Sequence, residues 1–173
     1  MRVDSNIYLT GMMGSGKSVT GKKLAQLLSY SFTDLDECIQ EKTGRSIRSI
    51  FEKEGEVFFR RQETFVLSEI SECEKNIVAT GGGAVLDPDN VRRMKQTGKI
   101  CFLETSLSVL WERVKNKKDR PLLKGGDPYK NLEKIFQERL PVYKSSADFE
   151  VNTDGQTAEA VARKILGILK GSL

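Results

Sequence analysis

The chain of 173 residues has no histidine, three cysteines, four prolines and one tryptophan. Without an imidazole, the candidates for accepting a proton near neutral pH are narrowed. Cys38, Cys73 and Cys101 are odd in number and widely spaced, with no C-x-x-C pair. Together with the missing histidines, this argues against a zinc site and a disulfide framework, and a reducing cytosol is the expected setting. No apolar run approaches the length of a membrane span, and the opening residues MRVDSN lack the apolar stretch of a signal peptide. A soluble, cytoplasmic, monomeric protein with no membrane partner is expected. The net charge of +4 is modest and its basic residues are interspersed with acids. Nucleic acid is therefore not expected as a partner, whereas a small anionic substrate suits the charge. Repeats and low-complexity tracts are also absent.

What is present starts with LTGMMGSGKSV at 9–19, where Gly11, Gly16, Lys17 and Ser18 fit G-x-x-x-x-G-K-[ST]. In such a loop glycines turn backbone N–H groups onto phosphate oxygens, lysine reaches the outer phosphates and the hydroxyl ligates Mg²⁺. Residues 6–9 read as a strand before it, and Val19, Leu24, Leu27 and Leu28 recur at helical spacing after it. That order aims a helix N-terminus at an anion.

Further apolar strands are expected at 30–33, 76–80, 99–103 and 148–151. Helical patterns cover 17–28, 35–43, 46–53, 56–71, 88–97, 107–116, 129–144 and 157–170. This alternation implies an α/β fold, with a parallel sheet covered by helices on both faces. The length suits one domain, 1–173, burying about 70% of its unfolded surface. Ligands in such folds gather beyond the carboxyl ends of the strands.

Three constellations follow those strands. Asp34 and Asp36, two apart in an extended loop, can face one side, the first towards a metal and the second towards an acceptor hydroxyl. Helix capping is the alternative for either aspartate. In VFFRRQE, Arg60 and Glu63 are three apart on a helix, so Glu63 can hold Arg60 as a fixed two-pronged donor for a carboxylate or phosphate. A plain surface ion pair is the alternative there, and Arg61 points elsewhere. In ATGGGAV, Gly81, Gly82 and Gly83 follow a strand, and residues without Cβ let a ligand lie against the backbone. No aspartate ends that strand, so Asp34 has to serve the Mg²⁺ side. The polar run KNKKDRPLLKGG at 115–126 suits a lid over phosphates, with a solvated surface loop as the alternative.

In this order and spacing GMMGSGKS, DLD, FRRQE, GGG, RPLL and ERLPVY resemble the shikimate kinase family over 7–156. The resemblance implies a P-loop fold like that of nucleoside monophosphate kinases, in three layers around a five-stranded parallel sheet. It also implies transfer of phosphate from ATP to the 3-hydroxyl of shikimate, with Mg²⁺. Carried over by position, it makes Lys17, Asp36 and Arg120 catalytic, Arg120 from a lid at 115–127. The nucleotide side then comprises Gly14, Ser15, Gly16, Lys17, Ser18, Val19, Arg113 and Gln156, with Ser18 and Asp34 at the metal. The acceptor segment, 34–63, contributes Asp36, Arg60, Glu63, Phe51 and Phe59, joined by Gly81, Gly82, Gly83 and Arg139. Arg60 and Arg139 clamp the carboxylate, Glu63 supports Arg60, Gly82 offers a backbone contact, and Phe51 and Phe59 flank the ring. Val19 stands where the family often has threonine, and NTDGQ at 152–156 lacks an arginine found in some relatives.

Asn116-Lys117-Lys118-Asp119 matches the N-K-x-D guanine reader of GTP-dependent switches. It follows the helical VLWERV rather than a strand, and no D-x-x-G lies between the phosphate loop and it. A kinase of gluconate or nucleoside monophosphates is the nearer alternative. Such acceptors explain the pair Arg60 and Arg139 together with Asp36 less well than a hydroxylated carboxylate does.

Overall fold

The computed structural model describes residues 5–116 and 126–171. Its strands are β1 (Asn6–Thr10), β2 (Ser31–Asp34), β3 (Asn76–Ala79), β4 (Gly98–Glu104) and β5 (Phe149–Asn152). They form one sheet in the order β2-β3-β1-β4-β5, and every pairing is parallel. The helices are α1 (Lys17–Leu28), α2 (Leu35–Thr43), α3 (Ile47–Lys53), α4 (Gly55–Ser71), α5 (Pro88–Thr97), α6 (Leu107–Val114), α7 (Pro128–Ser146) and α8 (Ala158–Leu169). This is the three-layer, five-stranded α/β arrangement expected from the sequence.

Alternation along the central strands divides the core in two. Ile7, Leu9, Cys101 and Leu103 face one side, where Leu24 and Ala25 of α1 pack with Val161 and Ile165 of α8. Tyr8, Ile100 and Phe102 face the other, against Leu35, Ile50, Leu67, Met94, Leu110, Leu132 and Tyr143 from the remaining helices. Both faces of β1 are therefore dry, which explains why NIYLT is buried throughout.

Small departures from the expected boundaries have local causes. Ser46 and Thr157 precede their helices as caps, their side chains accepting from the N–H groups of Ser49 and Ala160. α6 stops at Val114 rather than at residue 116. Residues 84–86, not anticipated, form a 3-10 turn. Pro141 sits within α7 on an exposed face, as does Gln137, so the carbonyl freed by the missing N–H faces water.

Strand order positions the site. β2, β3 and β1 are neighbours, so the loops at their carboxyl ends, carrying Asp34, the glycine triplet and the phosphate loop, emerge side by side.

Candidate active site

The phosphate loop joins β1 to α1. Gly14 and Gly16 have φ of 85° and 94°, a region in which other residues are strained. Gly16 is also the N-cap of α1, so the free N–H groups of the first turn open onto the loop. The Lys17 ammonium donates to the carbonyls of Gly11 at 2.9 Å and Met12 at 3.0 Å, which keeps it folded along the loop. A cleft of about 600 Å³ opens here, lined by Gly14, Ser15, Gly16, Lys17, Ser18 and Val19. Arg113, which donates to the Gly14 carbonyl at 3.0 Å, and Gln156, which donates to the Asn152 carbonyl at 2.7 Å, also line it.

At the inner end the Ser18 hydroxyl donates to Asp34 Oδ2 at 2.5 Å. The two aspartates do not share an extended loop. Asp34 ends β2 with φ −100° and caps α2, its Oδ1 accepting from the Asp36 N–H at 3.1 Å, while Asp36 lies in the first helical turn. Capping and the Ser18 contact use different oxygens of Asp34, so the two readings of that residue hold together. Asp36 lines the phosphate cleft and also a second cleft of about 450 Å³ beside it.

The second cleft gathers Phe51, Phe59, Arg60, Glu63, Arg139 and the glycine triplet. The rings of Phe51 and Phe59 are 4.8 Å apart, and the Arg60 guanidinium lies 5.2 Å from the Phe59 ring centre. Arg60 donates to Glu63 Oε2 at 2.7 Å and to Glu56 Oε1 at 2.8 Å, so the pair anticipated from spacing is built, with Glu56 as a second anchor. Burial pushes the Glu63 carboxyl up, against the opposing pull of Arg60. Burial would lower Arg60, but the charges and hydrogen bonds of Glu63 and Glu56 more than offset it and hold the guanidinium above its ordinary value. Arg139, 8% exposed, donates to the Gly82 carbonyl at 3.2 Å.

The three glycines are needed for different reasons. A Cβ at Gly83 would fall 2.5 Å from Arg60 Cζ, and one at Gly81 would strike Glu63 Oε1. At both positions the missing side chain makes room for the chain's own ion pair. Only Gly82 is open, with its nearest neighbours 3.6 to 3.7 Å away.

Every site residue anticipated from sequence lines one of the two clefts, except Arg120, which lies outside the described residues together with most of 115–127. Sequence reasoning passed over Glu56, four residues before Arg60, although that spacing is itself a signal. It passed over Arg48, a cleft-lining cation paired with Glu52 at 2.9 Å. It also gave no role to Tyr143, which donates to the Gly82 carbonyl from one turn beyond Arg139.

A phosphate loop at the carboxyl edge of a parallel sheet in this strand order, opening beside a cleft with two arginines and a carboxylate, defines a P-loop kinase of small molecules. The comparisons narrow the class. The shikimate kinase family profile matches residues 13–170. The shikimate kinase of Hahella chejuensis is 40% identical over 172 residues, covering 99% of this chain and 90% of that protein. That of Caldicellulosiruptor bescii is 42% identical over 163 residues, covering 94% of each. The solved shikimate kinase of Acinetobacter baumannii in complex with shikimate superposes with a TM-score of 0.94 at 40% identity, covering 96% of this chain and 93% of that one. The chain belongs to the shikimate kinase family.

Proposed function

We propose that this chain transfers the γ-phosphoryl group of ATP to the 3-hydroxyl of shikimate, forming 3-phosphoshikimate and ADP on the route to aromatic amino acids. The observation that carries the reading is the meeting of the two clefts, whose shared lining includes Ser18, Asp34, Asp36 and Gly82. One side offers a phosphate loop. The other offers cations for a carboxylate at one end and an aspartate for a hydroxyl at the other.

In this reading the N–H groups of Gly14, Ser15 and Gly16 and the start of α1 cradle the phosphates, with Val19 beside them. Arg113 and Gln156 border the adenine end. Lys17 leaves its two carbonyl partners for the outer phosphates, adding positive charge where negative charge moves. Ser18 and Asp34 are hard oxygen donors in contact, a set that fits Mg²⁺ and would hold it. Bound there, that ion neutralises charge on the β- and γ-phosphates.

On the acceptor side Arg60, braced by Glu63 and Glu56, and Arg139, braced by Gly82, take the shikimate carboxylate. Phe51 and Phe59 bound the ring, and the Gly81 to Gly83 backbone lies along it. Asp36 accepts a hydrogen bond from the attacking hydroxyl and orients it. Orientation is the main demand on the protein, because the transferring group is loosely bonded in its transition state. We read residues 34–63 as the acceptor-binding segment of a single domain, and the protein as a cytoplasmic monomer with no nucleic-acid or membrane partner.

A coupled ADP-release assay tests this function. With Mg²⁺ and ATP, turnover is expected on shikimate and not on gluconate or nucleoside monophosphates. Turnover on one of those acceptors exceeding that on shikimate overturns the reading.

A further inference from the structure

Tyr143 is buried beside Gly82 of the acceptor cleft, with 1% of its surface exposed. Its ring stacks on Phe102 of β4, centroids 5.2 Å apart and planes 9° from parallel. Its hydroxyl donates to the Gly82 carbonyl and lies 3.8 Å from the sulfur of Met12 in the phosphate loop. Arg139, one turn earlier on α7, donates to that same carbonyl at 3.2 Å. The Gly82 carbonyl thus accepts from both side chains, and the phenol and the guanidinium meet on one backbone oxygen. Burial pushes the phenol up to about 12, so it remains a neutral donor throughout the working range.

We propose that Tyr143 is a positioning residue for Arg139, setting the angle at which that guanidinium meets the acceptor's carboxylate; the proposal rests on the function given above. A guanidinium bonded to a backbone carbonyl is held only as firmly as that carbonyl, and the phenol fixes the Gly82 peptide from a second direction. Without the hydroxyl, the Gly82 peptide, on a residue with no side chain to hold it, is free to turn, and Arg139 turns with it off the carboxylate. The ring itself is held by Phe102, so phenylalanine can replace tyrosine without opening a cavity.

The test compares the native chain with Tyr143→Phe on two acceptors, shikimate and its uncharged methyl ester. Each kcat/KM is read by ADP release, with Tm measured alongside. The variant is expected to lose about fivefold to tenfold in kcat/KM on shikimate, mostly through KM, the effect of about one hydrogen bond. On the ester, where the carboxylate contact is already gone, the loss is expected to be under about twofold. Equal losses on both acceptors, or none on either, overturn the proposal, since a general packing role would move both alike. A raised KM for ATP with shikimate KM unchanged also overturns it. Failure of the native chain to phosphorylate shikimate is a separate result that removes the functional reading, and this proposal with it.

Discussion

Glu63 holds Arg60 through one carboxylate oxygen, at 2.7 Å, and turns the other, Oε1, towards Gly81 with no hydrogen-bond partner among the described residues. The carboxylate is 1% exposed, so an isolated charge there would be costly, and Arg60 is what makes it tolerable. The same contact converts a flexible arginine into a fixed fork at the mouth of the acceptor cleft. Removing either partner therefore affects both folding and the site.

The titration of Glu63 gives a prediction with a definite sign. Burial raises its carboxyl above the ordinary 4.5. An acid raised in the fold binds protons there more readily than in the unfolded chain. Its contribution to stability therefore falls as pH rises from 4.5 towards the raised value. Glu63→Gln abolishes that slope. Measured by scanning calorimetry, the Tm of the variant relative to the native chain is expected to improve as pH rises from 4.5 towards the raised value. A relative Tm that worsens over that interval contradicts the assignment.

The glycine triplet makes a steric prediction. Gly83→Ala places a methyl group 2.5 Å from Arg60 Cζ, and the guanidinium can yield only by leaving its bonds to Glu63 and Glu56. A rise of about tenfold in shikimate KM is expected, comparable to losing one charge-assisted hydrogen bond, with a smaller fall in Tm. Gly82→Ala meets nothing closer than 3.6 Å, and its Tm should stay near native. The reverse ranking of Tm would show that the two positions have been misread.

For Lys17→Met the fold should survive, because the lysine lies along the loop, donating to the backbone carbonyls of Gly11 and Met12. Turnover should fall at least about 100-fold, since one fixed positive charge on the moving phosphoryl group is lost. Near-native kcat in this variant would remove Lys17 from the transfer step.

Arg139→Ala separates the two ligands. Shikimate affinity should weaken by roughly 10- to 100-fold, the loss of a charge-assisted contact of about 1.5–3 kcal/mol. Nucleotide affinity should hardly change, because Arg139 lines the second cleft and not the first. Calorimetric titrations with shikimate and with ADP check the split, and a defect confined to ADP would refute it.

Much of this was readable in the sequence because it is local. The period of the apolar residues and the caps set α1, α2 and α5 to the residue, and helical spacing alone predicted the pair Arg60 and Glu63. Contacts between segments distant in the chain were less legible. A run of three glycines looks the same whether a ligand or the protein's own Arg60 and Glu63 fill the space, and only their convergence from α4 decides it. Tyr143 reads as an ordinary core aromatic on α7, since its carbonyl partner lies 61 residues away. The two aspartates were misplaced in an extended loop because the helix begins directly after Asp34, which caps it while also meeting Ser18.

The central claim is that Arg60 and Arg139 grip an acid while Asp36 meets the hydroxyl presented to the phosphate loop. A crystal structure of the chain with shikimate and ADP tests it most directly. The account predicts the shikimate carboxylate within hydrogen-bonding distance of both guanidinium groups and the 3-hydroxyl against Asp36, facing Lys17. A carboxylate bound elsewhere, or a different hydroxyl at Asp36, would contradict it.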